Sequence, residues 1–146
     1  MLRYPLIHPQ LLAALAESGH GGKVLIGDGN FAHRTNVLPG TPMVYLNLSP
    51  GLVTADQVLA AILDACPIEA AAVMAPDDGS VAAAEHGFRA LLGEEVPVAR
   101  LGRGEFYAAC REPGLAVAVA TGDERHFANL LLTIGFNADP TVVGGE

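Results

Sequence analysis

Charge is scarce in this sequence. Of 146 residues, 8 are Lys or Arg and 16 are Asp or Glu, so charged residues make up 16% while apolar residues reach 51%. Soluble domains usually carry about a quarter charged residues. A monomer would have little charge to cover its surface, which implies a homo-oligomer. The net charge of -8 and pI near 4.9 repel phosphate backbones, and there is no basic stripe with interleaved aromatics, which excludes nucleic acid as a partner. Cysteine is also sparse: Cys66 and Cys110 each sit in an apolar helical pattern without CxxC spacing, as reduced packing residues do. No apolar run reaches the roughly 18 residues of a membrane helix, and MLRYPLIHPQ lacks a charged region followed by an apolar one. A soluble cytoplasmic protein is expected, without a membrane partner. Catalytic signatures are missing too. There is no GxSxG elbow, no Cys beside a plausible base and no P-loop lysine, so covalent catalysis and phosphoryl transfer lack support.

The length suits one domain over residues 1–146. Apolar periodicity predicts a helix from Pro9 that stops at Gly19, a strand over Lys23–Ile26, and a second strand over Met43–Leu46. A helix from Thr54, as N-cap, to Cys66 follows, then a strand over Ala70–Met74. Ser80 or Asp78 is expected to cap a third helix ending near Leu92, with Val81, Ala84, Phe88 and Leu91 on its inner face. Val96–Leu101 reads as a strand, Glu105–Arg111 as a short helix, and LAVAVA at Leu115–Ala120 as a strand covered on both faces. Phe127–Ile134 fits helix or strand, and the tail after Asp139 is expected to be loose or engaged in subunit contacts. Alternating strands and helices give an α/β class, with helices on both sides of a largely parallel, mixed sheet.

The chemistry concentrates in SGHGGKVLIGDGNFAHR, residues 18 to 34. His20 follows a helix stop, where the negative end of the helix favours an imidazolium and suits a proton donor. Asp28 lies past the far end of the next strand, so whether the two meet depends on the fold or on a neighbouring subunit. Gly27–Ala32, GDGNFA, matches a dinucleotide fingerprint. However, Asp28 would oppose a pyrophosphate, and HRTNVLPGTP does not read as the helix that must follow. His20, Asp28 and His33 as metal ligands match no standard spacing. The simplest readings are structural: His20 at a helix end, Asp28 in an Asx-turn, His33 exposed in a loop. A His, an Asp, an Arg and an Asn around a pocket could instead hold several hydroxyls and move one proton on and one off. That describes sugar recognition with general acid-base catalysis.

Three segments in register, GHGGKVLIGDGNF, RGEFY at 103–107 and TGDERHFANLLLTIG at 121–135, resemble the ribose pyranase and fucose mutarotase family over nearly the whole chain. The resemblance implies a three-layer α/β/α fold, no cofactor and no metal. It also implies a monosaccharide substrate and ring-shaped homo-oligomers, often decamers. By position, it puts the proton donor on His20 and a catalytic, substrate-binding aspartate on Asp28. Further substrate contacts fall on Arg103, Phe127, Ala128 and Asn129. Arg103 with Phe106 and Tyr107 is more similar to the fucose branch, as is the loop with Asn30 and His33. Phe127 departs from the family's tyrosine and lacks its hydroxyl, a role for which His126 and Tyr107 are the alternatives. The alternative to an isomerase is a non-catalytic sugar-binding or ring-forming accessory of sugar uptake or catabolism.

Overall fold

The computed structural model describes residues 1–141. Helix α1 spans Pro9–Ser18; Pro9 occupies the first turn, and the His8 imidazole before it accepts the Leu11 N–H at 3.3 Å. Gly19, at φ 67°, ends it. Strand β1 follows at Lys23–Gly27 and β2 at Met43–Tyr45. Helix α2, Ala55–Ala65, opens on a capping box in which Thr54 Oγ1 accepts the Gln57 N–H at 3.3 Å and Gln57 Oε1 accepts the Thr54 N–H at 3.0 Å. The remaining elements are β3 (Ile68–Met74), α3 (Ala83–Leu92), β4 (Val98–Leu101), α4 (Arg103–Cys110), β5 (Leu115–Ala120) and β6 (Leu130–Ile134).

The strands form one sheet in the order β2-β5-β1-β6-β3-β4. β2, β5 and β1 are mutually parallel, as are β3 and β4, and β6 runs antiparallel between β1 and β3. Of the stretch Phe127–Ile134, which fitted helix or strand, Leu130–Ile134 is the strand β6 and the three residues before it are irregular, and residues beyond 141 lie outside the described part of the chain. Alternation along the strands sends side chains to two cores. Val24, Ile26, Val117, Val119, Leu130 and Leu132 pack with α1, α2 and α3, whereas Leu25, Ala118 and Leu131 pack with Phe106 and Cys110 of α4. The three-layer α/β/α expectation holds, with α4 on the face opposite the other three helices.

Helix α3 departs from expectation. It begins at Ala83 with no side-chain cap, because Asp78 instead accepts the Ser80 N–H at 2.9 Å in a separate turn. Its inner face is Ala84, Glu85, Phe88 and Leu92, leaving Val81 and Leu91 exposed. Glu85 can turn inward because Arg89, at 2.8 Å, and Arg100, at 3.3 Å, pair with its carboxylate. Phe88 is fully buried at the centre of that face. Phe88→Ala should lower stability by roughly 3–5 kcal/mol in urea unfolding.

Candidate active site

The carboxyl ends of β1 and β3 and the approach to β6 enclose an open cavity of about 310 Å³. Asp28 enters at the end of β1, Met74 at the end of β3, Arg103 and Tyr107 from α4, and His126, Phe127 and Asn129 from the segment before β6; Asn30 and Phe31 complete the wall. Crevices outside the carboxyl ends of parallel strands are where open α/β sheets bind ligands.

Asp28 and Asn129, each 4% exposed, anchor the cavity. The Asp28 main-chain N–H donates to Asn129 Oδ1 at 2.9 Å, and the Asp28 carboxylate accepts the Asn30 N–H at 2.9 Å. Burial pushes the Asp28 carboxyl above the usual carboxylate range; the N–H groups of Asn30, Phe31 and Ala128 oppose this, and Asp123 adds to it. The result is a stronger base than an ordinary aspartate. Ala128 itself is fully buried in the three-helix core, so its offering to the site is its main-chain N–H.

Phe127 adopts φ 60°, a left-handed conformation that non-glycine residues seldom occupy. The Arg103 guanidinium stands 5.8 Å from its ring centroid and 3.5 Å from Asp77, and remains half-exposed. Just upstream, Asp123 accepts the Ala55 N–H at the start of α2 at 2.9 Å, and Arg125 bridges Asp123 and Asp56. Burial alone would raise the Asp123 carboxyl, but Arg125 and the Ala55 N–H more than offset it and hold it low. The loop that presents Phe127 and Asn129 is thus tied to a helix terminus.

His20 is elsewhere. It sits ahead of β1, at the end of the sheet opposite Asp28, and its Nε2 lies 2.9 Å from Glu69 Oε2. Five strand residues at about 3.3 Å each separate the two ends by roughly 16 Å. Within one chain the structure brings together Asp28, Arg103, Phe127 and Asn129, and leaves His20 outside their cavity. GDGNFA leads into a single 3-10 turn, His33–Thr35, instead of the helix a dinucleotide needs. Among the described residues no cluster of three His, Cys, Asp or Glu is placed to hold a metal ion, and no helix is long and apolar enough to cross a membrane.

Comparison with known proteins matches residues 1–137 to the RbsD / FucU transport protein family. The chain belongs to that family. It is 33% identical over 139 residues to a D-ribose pyranase of Paracidovorax citrulli, covering 92% of this chain and 98% of that one. Among solved structures, Bacillus subtilis RbsD complexed with D-ribose superposes with a TM-score of 0.81 at 23% identity, over 94% of this chain and 99% of that one. The fucose mutarotase of Streptococcus pneumoniae in complex with L-fucose gives 0.77 at 21%, over 94% and 99%.

Against this family background, His33 is the residue that sequence reasoning misplaced. Expected in an exposed loop, it is 7% exposed, and neither ring nitrogen has a hydrogen-bond partner among the described residues. Gly27 makes the burial possible, since a Cβ there would overlap the His33 ring. Phe31 flanks the imidazole at 4.8 Å. Met74 was also missed, and its place at the carboxyl end of a strand is the signal that would have found it.

Burial lowers the His33 pKa from 6.5 to about 4, against a smaller opposing effect of the Asp28 main chain. A buried neutral imidazole makes the unfolded state bind a proton first. Stability is therefore intact above pH 6.5 and falls as the pH drops toward 4, by about 3 kcal/mol from this group. Urea unfolding of native protein and His33→Leu at pH 7 and 4.5 checks this: the variant should lose markedly less stability between the two.

Proposed function

We propose that this chain catalyses the cofactor-free interconversion of monosaccharide anomers or ring forms, acting in the cytoplasm as a homo-oligomeric ring, with a fucose-like aldose as preferred substrate. The observation that carries the reading is the convergence, in a member of this family, of a buried basic carboxyl, Asp28, with Asn129 and Arg103 around one small open cavity. At about 310 Å³ the space is near the lower end of small-molecule pockets, which suits a single sugar ring better than a dinucleotide.

In this reading Asp28, Arg103 and Asn129 hold the hydroxyls, and the Phe127 ring, backed by Arg103, offers an apolar face. Asp28 takes the proton of the anomeric hydroxyl, directly or through a water. His20 gives a proton to the ring oxygen as the C1–O bond breaks. The aldehyde forms, the C1–C2 bond rotates, and closure on the other face reverses both transfers. The steps need a proton donor and acceptor and no redox or Lewis-acid partner. Because His20 stands a strand's length from the pocket of its own chain, the donor comes from a neighbouring copy. Scarce charge and the exposed apolar side chains of Tyr45, Leu48 and Phe136 support assembly, and the family resemblance implies a decamer.

Arg103 with the adjoining aromatics favours fucose. The similarity to a D-ribose pyranase makes ribose the necessary comparison. Saturation-transfer NMR of anomer exchange should show acceleration for one of these sugars. His20→Ala and Asp28→Asn should each lose roughly 10²- to 10⁴-fold of it while remaining folded. Phe127→Tyr should raise the rate with fucose, by restoring a hydroxyl to the pocket wall. Binding without acceleration for any sugar would establish the accessory reading, which the separation of His20 from the cavity within one chain favours.

A further inference from the structure

The turn that carries Asp28 is pinned at every main-chain N–H from Asp28 to Phe31. Asn129 Oδ1 accepts the Asp28 N–H and Asp123 O the Gly29 N–H, both at 2.9 Å, while the Asn30 and Phe31 N–H groups return to Asp28 itself at 2.9 and 3.2 Å. The His33 N–H then donates to Phe31 O at 2.9 Å, and the chain has doubled back so far that the His33 ring rests on Gly27. Alternation along β1 sends residue 27 to the same face as Leu25, where Phe31 and Phe106 pack. A Cβ on Gly27 would overlap His33 Cε1 and Nε2, so the imidazole occupies the place that a side chain at 27 would take. Neither ring nitrogen has a partner among the described residues, and a buried polar group left without one costs stability and calls for a reason. The cavities around the turn supply one. Asp28 and Phe31 line both the cavity of about 310 Å³ and a second open one of about 330 Å³, to which His33, Arg34 and Tyr45 also contribute. The turn is a partition between the two, and the His33 ring backs it.

We propose that His33 is the positioning residue of the base: its ring, lodged in the place that Gly27 leaves empty, clamps the exit of the turn onto its entrance and holds the Asp28 carboxyl at the sugar cavity. This rests on the isomerase reading above, in which Asp28 takes the anomeric proton. A flat ring suits the task. It lies between the Gly27 main chain and the Phe31 ring, whose centroid is 4.8 Å away, and Phe31 in turn meets Tyr107 at 5.4 Å on the wall of the sugar cavity. The clamp thus continues into the pocket wall. His33 moves no proton itself, since both of its nitrogens are buried; it acts through Asp28. With the ring in place, water of the second cavity is kept from the back of the carboxyl, which stays desolvated and basic. The charged and titratable groups facing the pair are Arg34 and Tyr45 from the second cavity, Arg103, Tyr107 and His126 from the first, and Asp123 from the segment before β6.

Three readouts on the full-length protein test this. In anomer-exchange kinetics on folded protein, His33→Ala should lower kcat by up to roughly 10²-fold, the size of a misplaced catalytic group, with a smaller change in KM because Arg103 and Asn129 still hold the sugar. Added to Asp28→Asn, it should cost nothing further, since it acts through that carboxylate. In ¹³C spectra assigned with Asp28→Asn, the Asp28 carboxyl should titrate above the ordinary carboxylate range in the native protein and move down toward it in His33→Ala, as water reaches it. Should His33→Ala fail to fold, Gly27→Ala, which dislodges the ring without removing it, carries the same three comparisons. An unchanged kcat, losses that add to those of Asp28→Asn, or an Asp28 titration that does not move would overturn the assignment. If the native protein accelerates no sugar, the isomerase reading fails while the carboxyl titration still decides whether His33 governs Asp28.

Discussion

The reversed direction of β6 is the constraint on which the rest of the structure depends. Every other strand in the sheet has a parallel neighbour and reaches it through a crossover. β6 instead runs antiparallel between β1 and β3. The segment leading into it, residues 121–129, therefore arrives where β1 and β3 end, and the segment leaving it, from Gly135, arrives where they begin. One strand direction thus delivers Phe127 and Asn129 to Asp28 and Met74, and Phe136 to His20 and Glu69. The bond from Asp28 N–H to Asn129 Oδ1 locks the first meeting, and the paired bonds between the Gly21–Gly22 turn and Ile134 lock the second.

Around Asp28 the balance of desolvation against hydrogen bonding sets the chemistry. Main-chain N–H groups alone would hold this carboxyl low, as they do for capping aspartates. Here burial is the larger effect and the carboxyl rises, while Asp123, equally buried, stays low because Arg125 faces it. Two aspartates at one end of the sheet are thereby driven apart in basicity: one is a structural anion that holds a helix N-terminus, the other a base open to a cavity. His33 adds no charge to this arrangement, since an imidazole buried without partners stays neutral at neutral pH.

Much of this was legible in the sequence. The alternation of apolar strands with capped helices, the LAVAVA strand covered on both faces, and the Thr54 N-cap all follow from local pattern and reappear in the structure. What escaped is what depends on distant partners. The inner face of α3 was misread at Leu91 and Val81 because the burial of Glu85 is licensed by Arg89 and Arg100, the latter on another strand. Phe127–Ile134 was ambiguous because a fully buried strand and a buried helix look alike in composition. His33 was placed in solvent because its burial rests on the missing side chain of Gly27, which periodicity does not register. Asp28, Arg103, Phe127 and Asn129 do meet in one cavity, as the resemblance implied. His20 does not join them, since the five residues of β1 that separate it from Asp28 are extended strand.

The two ends of the sheet are also chemically complementary. One presents a buried base, a guanidinium and an amide around an open cavity; the other presents an exposed imidazole whose partner, Glu69, is likewise exposed. An exposed ion pair in water is screened and worth little. The same pair strengthens when water is excluded from it, because Coulomb and hydrogen-bond energies rise as the surrounding dielectric falls. On the reading proposed above, with His20 as donor and Asp28 as base, placing the two at opposite ends of one strand ties catalysis to a second copy of this chain.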